Sequence, residues 1–185
     1  MPEKTPSIPE LADLPLADIA RAAAERRLPP VADWNPARCG DSHMRIARDG
    51  TWFHEGSPIL RPAMVRLFAS LLRREPDDHY VLVTPVEKLD IAVEDAPFVA
   101  VEVKSEGDGS RRRLAFRLNI DEPIVAGPDH PIEMVDGRPY LVVRDRLRAS
   151  IARPVYYELA DIALAEAANP PGLWSDGAFF ALDAA

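Results

Sequence analysis

Hydrophobic positions along this chain change period several times, and each change marks an element. Residues 1–12 are rich in proline, with Pro2, Pro6 and Pro9 unable to donate to a regular ladder of hydrogen bonds, so they are read as a disordered leader. Leu16, Ile19, Ala20, Ala23 and Ala24 then recur at the 3.6-residue period. This predicts a helix capped by Asp13, tolerant of Pro15 in its first turn and ended by Pro29-Pro30. Its apolar face has few large side chains, so it is expected to lie across a sheet or a partner surface. From His43 the pattern shortens to extended runs at 43–47 and 51–54, joined by Asp49-Gly50, which suits a hairpin turn, with a second turn at 55–58. Behind Arg61-Pro62, the residues Met64, Val65, Leu67, Phe68, Leu71 and Leu72 return to helical spacing, predicting a helix that stops near Pro76.

Beyond that point the chain reads as β-rich. Short runs at 80–84 and 91–93 precede an alternating strand with Val99, Val101 and Val103 on one face. After the turn-forming residues 105–110, Leu114, Phe116 and Leu118 alternate inward while Arg113, Arg117 and Asn119 alternate outward, which predicts a long hairpin. Further strands are expected at 132–135 and 140–143 around Asp136-Gly137. Arg153-Pro154 opens a last helix with Val155, Tyr156, Leu159, Ile162 and Ala163 as its stripe.

The two Arg-Pro helices suggest an internal repeat. Aligning residues 59–72 with 151–164 pairs Ile59 with Ile151, Arg61 with Arg153, Pro62 with Pro154, Leu67 with Leu159 and Leu72 with Leu164. Helical period alone would align the leucines; the shared Ile-x-Arg-Pro opening is the more informative part. The fold class expected is α+β, with two related halves of antiparallel β hairpins each closed by a helix. The halves span residues 13–79 and 80–185, and the long central hairpin is assigned to the second half alone.

Composition narrows the function classes. Hydrophobic residues make up 47% of the 185 and charged residues 28%, the balance of a globular chain. A formal charge of -8 works against general nucleic-acid binding, because phosphate attraction needs a positive field. The single cysteine, Cys39, excludes an intramolecular disulfide and fits a reducing compartment. With no apolar run near membrane-spanning length and no signal-like N-terminus, a cytoplasmic location is expected.

The run Arg45-Ile-Ala-Arg-Asp-Gly-Thr-Trp-Phe-His-Glu-Gly-Ser-Pro-Ile59 is continued by Arg61, Val65-Arg-Leu-Phe68, Thr84-Pro-Val-Glu-Lys88 and Val93-Glu-Asp-Ala-Pro-Phe98. Together these resemble the bacterial domain of unknown function 1285 family, over nearly the whole chain from Trp34. The resemblance implies a duplicated α+β core, a C-terminal half superficially like a pleckstrin-homology fold, a nucleotide-type ligand between the halves and a role in signal transduction.

No familiar catalytic spacing is present. The histidines His43, His54, His79 and His130 show no metal-binding spacing, and the common phosphate loops and the hydrolase elbow are absent, so neither metal nor cofactor is expected. Trp52 and His54 lie two apart and would share one face of a strand, as a stacking surface beside a titratable group or as a core residue with a polar neighbour. Glu87 and Lys88 follow a proline bend and suit either a polar ligand or an exposed ion pair. Arg61 and Arg153 precede helix-opening prolines, where they would hold an anion or brace the halves. The run Arg111-Arg112-Arg113 reads as a solvated hairpin tip, and the aromatic tail 173–180 as folding back onto the sheet or covering a partner surface.

The leading reading is a non-enzymatic sensor or adaptor that binds a small anionic, nucleotide-like ligand between its halves through Trp52, His54, Arg61, Glu87 and Lys88. A protein-interaction module without a small ligand is the alternative. An enzyme using His54 or Glu87 as acid or base is third.

Overall fold

The computed structural model describes residues 15–25 and 27–182. The leader, the Asp13 cap and the side chains of Ala23 and Ala24 lie outside that description. The elements run α1 (Leu16–Glu25), β1 (Arg38–Ile46), β2 (Trp52–His54), β3 (Ser57–Pro58), α2 (Pro62–Ser70), β4 (Leu72–Arg74), β5 (Tyr80–Val83) and β6 (Glu87–Val93). They continue with β7 (Phe98–Glu106), β8 (Arg113–Leu118), β9 (Pro123–Val125), β10 (Ile132–Val135), β11 (Arg138–Arg144), β12 (Leu147–Ile151), α3 (Arg153–Glu166), β13 (Gly172–Ser175) and β14 (Ala178–Ala181).

Tight turns fix the strand registers. Glu55-Gly56, Asp136-Gly137 and Asp176-Gly177 each place both residues at positive φ, the backbone that matches a twisted two-residue hairpin. Gly50 serves a further purpose: a Cβ there would sit 2.4 Å from Nδ2 of Asn119, a residue of the second half that donates to the Gly50 carbonyl. Only glycine lets the β1–β2 turn seat so closely.

The strands form two six-stranded sheets in the orders β3-β2-β1-β6-β5-β4 and β10-β11-β12-β7-β8-β9, plus the β13–β14 hairpin. These orders are the same topology. Each half is a curled mixed sheet made of two three-stranded meanders joined through one central parallel pair, β1 with β6 and β7 with β12. The expected two related halves of antiparallel hairpins are therefore present, and each sheet adds one parallel pair, because closing its two meanders sets its first and last strands side by side. The first sheet runs through Val93, past the 79/80 division read from the sequence.

The long β7–β8 hairpin is not peculiar to the second half, since its counterpart is β1–β2. The Arg-Pro helices, in contrast, occupy different places: α2 links β3 to β4, whereas α3 follows β12. Their matched leucines also face differently. Leu159 is fully buried while Leu67 is 58% exposed; Leu72 is buried on β4 while Leu164 is 76% exposed. Helix α2 ends at Ser70, and Leu71-Leu72 imitate a helical stripe only because a strand residue turned inward is as apolar as a helical one.

One continuous core joins the halves, running from Met44, Ile46 and Trp52 through Phe98, Phe116 and Leu141 to Leu159, Leu173 and Phe180. Leu114, Phe116 and Leu118 alternate inward as predicted, and the aromatic tail folds back to place Leu173 and Phe180 inside. In β7 the face is carried by Phe98 and Ala100, while Val101 is 38% exposed, because the register shifts between Ala100 and Glu102. Helix α1 lies across β8 and β9, burying Leu16 and Ile19 against Ala115 and Val125. No helix among the described residues is long and apolar enough to cross a membrane.

The unequal burial of the matched leucines makes a prediction. Leu159→Ala should cost about 2–5 kcal/mol through the cavity it leaves, whereas Leu67→Ala should stay within about 0.5 kcal/mol. Urea midpoints at constant m-value measure both, and equal losses would mean that the two helices pack alike.

Candidate functional site

The halves meet along a groove built from three distant segments. Strand β4 supplies Arg73 and Arg74 and the turn after it Glu75; the β11–β12 turn supplies Asp145 and Arg146; the short 3₁₀ turn Val31–Asp33 and its following residues supply Trp34 and Asn35. Together they enclose about 490 Å³.

Each arginine is held differently. Arg73 donates to the carbonyls of Val31 (2.8 Å) and Trp34 (2.7 Å) and through Nε to Glu75 (2.8 Å), so it pins the 3₁₀ turn to the first sheet. Arg74 crosses between the halves to the Arg146 carbonyl at 3.3 Å, and its guanidinium stands 5.6 Å from the Tyr80 ring centre. Its Nε is buried with no hydrogen-bond partner among the described residues. Arg146 returns the contact, donating to the Glu75 carbonyl at 2.9 Å and pairing with Asp78. Three guanidiniums therefore line the groove with two carboxylates, Glu75 and Asp145. A planar guanidinium fork is well matched to phosphate or carboxylate oxygens.

The five residues singled out from sequence do not converge here. Trp52 is 1% exposed and stacks on Phe68 at 6.4 Å between ring centres, so it belongs to the core rather than to an open wall. His54 is exposed on β2, and β1 separates that strand from the Glu87 strand β6, so the two share no pocket among those described. Glu87 faces Arg38 across the parallel pair at 3.6 Å. Lys88 comes nearest, with Nζ 3.9 Å from the groove carboxylate of Glu75. Arg61 is exposed at the N-cap of α2 and makes no side-chain capping bond, while Arg153 is likewise exposed at the start of α3.

The hairpin-tip arginines are paired rather than simply solvated: Arg111 with Asp108, Arg112 with Glu166 and Arg113 with Asp176. Among the described residues no three His, Cys, Asp or Glu side chains are grouped to hold a metal ion. Sequence reading missed Arg73, Arg74, Arg146 and Trp34. The available signal was arginine doublets and singles beside turns, and it carries no spacing because the segments meet only in the folded chain.

Two curled sheets of identical topology sharing one core define a duplicated α+β protein with a polar groove at its seam. The chain belongs to the DUF1285 family. Residues 29–96 match the N-terminal domain of that family, described as a domain of unknown function, and residues 97–182 match its C-terminal domain, described as a protein of unknown function. A crystal structure of a DUF1285 family protein from Silicibacter pomeroyi DSS-3 is similar at 45% identity and a TM-score of 0.76, covering 88% of this chain and 93% of that one. A second, from Shewanella baltica OS155, is similar at 27% identity and a TM-score of 0.53, covering 64% of this chain and 90% of that one. No curated protein matches.

Two predictions follow from how the groove is held. Arg73→Ala removes charge-assisted bonds to two carbonyls and a carboxylate, and should cost about 2–4 kcal/mol. Arg146, half exposed, should cost no more than about 1 kcal/mol when replaced by alanine; urea titration of both variants separates the two.

The second concerns alkaline pH. Burial pushes the Tyr80 phenol above its ordinary value of 10.0, against an opposing pull from Arg74, so the fold favours the neutral phenol. The unfolded chain ionises first, so stability is complete below about pH 10 and falls as pH rises toward the higher folded value. Tyr140, raised by burial and by its hydrogen bond to Asp95, acts in the same direction. Tyr80→Phe should therefore shrink the alkaline loss without abolishing it, measured as urea midpoints between pH 8 and 11.

Proposed function

We propose that this protein is a cytoplasmic, non-enzymatic sensor or adaptor that binds a small anionic, nucleotide-type ligand in the groove between its halves, with a role in signal transduction. The observation that carries this reading is the clustering of Arg73, Arg74 and Arg146 around a 490 Å³ groove in a chain whose net charge is -8. Arg74 brings a buried donor with no hydrogen-bond partner among the described residues, and half-buried Trp34 offers a flat surface for a base or another planar group. Lys88, at the edge of the groove, adds a further cation. Trp52, His54, Arg61 and Glu87 leave the ligand set.

The test is a thermal-shift and calorimetric screen with inorganic phosphate and nucleoside mono-, di- and triphosphates. A ligand present at a hundredfold excess over its Kd should add about 2.7 kcal/mol of stability, a rise of about 5–10 °C in Tm. Arg146→Ala should weaken that ligand at least tenfold while leaving the unliganded Tm nearly unchanged. A silent panel, or unchanged binding by Arg146→Ala, overturns the reading.

A second reading, a protein-interaction module, draws on the exposed side of α2 and the residue leading into it, where Leu60, Met64 and Leu67 are 82%, 39% and 58% exposed. It is favoured if a native partner co-purifies, is lost on Leu67→Asp and is retained by Arg146→Ala.

A further inference from the structure

A second cavity lies wholly outside the groove, between α1, the second sheet and the tail hairpin, and encloses about 380 Å³. Its floor is apolar: Val143 is 1% exposed and Ile124 5%, with Val125 beside them and Leu28 at the rim.

Its polar wall is braced. Residues Gly127 and His130 exchange two backbone hydrogen bonds at 3.1 Å, closing the β9–β10 link into a tight loop. The β13–β14 turn is docked by Asp176 N–H on the Arg112 carbonyl at 3.0 Å, so close to this loop that a Cβ on Gly127 would meet Asp176 at 3.2 Å. His130 Nδ1 lies 3.2 Å from the Val142 carbonyl, which must accept a proton from it, leaving Nε2 of the neutral ring as an acceptor.

Two groups of opposite sign on this wall keep unused hydrogen-bonding atoms: Arg113, although ion-paired with Asp176, and Asp129. Arg113 Nε stands 3.2 Å from Asp176 without hydrogen-bond geometry, and among the described residues the two terminal nitrogens of its 37% exposed side chain have none. The Asp129 carboxylate likewise has no partner among the described residues. An anion alone would meet Asp129 and Asp176; a cation alone would meet Arg113. A molecule carrying both charges on a compact apolar body satisfies each side at no net cost in charge.

We propose that this cavity binds a small zwitterion, a free α-amino acid with an aliphatic side chain. Its carboxylate meets Arg113, its ammonium meets Asp129 and His130 Nε2, and its side chain lies on Leu28, Val125 and Val143. Ala20 of α1 and Leu28 beyond it stand at the rim, so a segment that precedes the first sheet in sequence completes a site on the second.

The experiment is calorimetry on the full chain with L-leucine, glycine, isopentylamine and 4-methylpentanoate. Binding of L-leucine is expected, with at least tenfold loss for either single-charge analogue. Asp129→Asn, at an exposed loop position, should weaken leucine at least tenfold, and Leu28→Ala should narrow the preference for leucine over glycine. Arg146→Ala, in the groove between the halves, should leave leucine binding unchanged, which keeps this outcome separate from that of the phosphate screen. No amino acid bound, either analogue bound as well as leucine, or Asp129→Asn bound normally would each overturn the proposal.

Discussion

The seam between the halves depends on one cation taken out of water. Arg144, at the end of β11, donates to the carbonyl of Ala69 in the last turn of α2, lies 5.3 Å from the ring centre of Phe98 and faces the Glu122 carboxylate at 3.6 Å. The Arg144 and Glu122 side chains are 13% and 5% exposed. Desolvating such a pair is costly, and attraction offsets the cost only when hydrogen bonds and neighbouring dipoles are also in place. Here the partners come from both halves: a helix terminus of the first, whose free carbonyls carry partial negative charge, and an aromatic face and a carboxylate of the second. Neither half offers Arg144 all of them alone.

This constraint explains why the two sheets, although topologically equal, do not behave as beads on a string. Trp52 and Leu72 of the first and Phe98, Leu141 and Leu159 of the second belong to one core cluster. Halves joined by a large apolar interface have little freedom to rotate against each other. The arginine groove at their surface is therefore preformed. Arg73 ties its 3₁₀ wall to β4, while Arg74 and Arg146 tie the two turns, so the ordering cost a ligand would meet on binding has largely been met by folding.

What the sequence made legible was local. Glu55-Gly56 and Asp136-Gly137 announced hairpins because a two-residue turn demands positive φ, Asp49-Gly50 announced a longer turn that needs it at Gly50 alone, and the alternation at 114–118 announced a strand because one face is dry. What stayed hidden was long-range. Strand β12 carries Arg148 and Ser150 and pairs in parallel with β7 some fifty residues away, so nothing in its own pattern reveals its position. The Ile-x-Arg-Pro match was real as sequence yet misleading as architecture, because proline at a helix start is a local preference while the leucines beyond it answer to different neighbours. The groove arginines share this difficulty: residues 73, 74 and 146 become one site only after both meanders have closed.

Overall charge and local charge then act over different distances. At physiological salt, exposed charges farther apart than about 8 Å are largely screened from each other. A small anion seated between Arg73, Arg74 and Arg146 is governed by those guanidiniums and hardly by the -8 of the whole chain. An extended polyanion spans many such lengths and must lie against the acidic remainder of the surface as well. On the proposed reading, the size of this cationic patch suits a compact ligand of few charges better than nucleic acid.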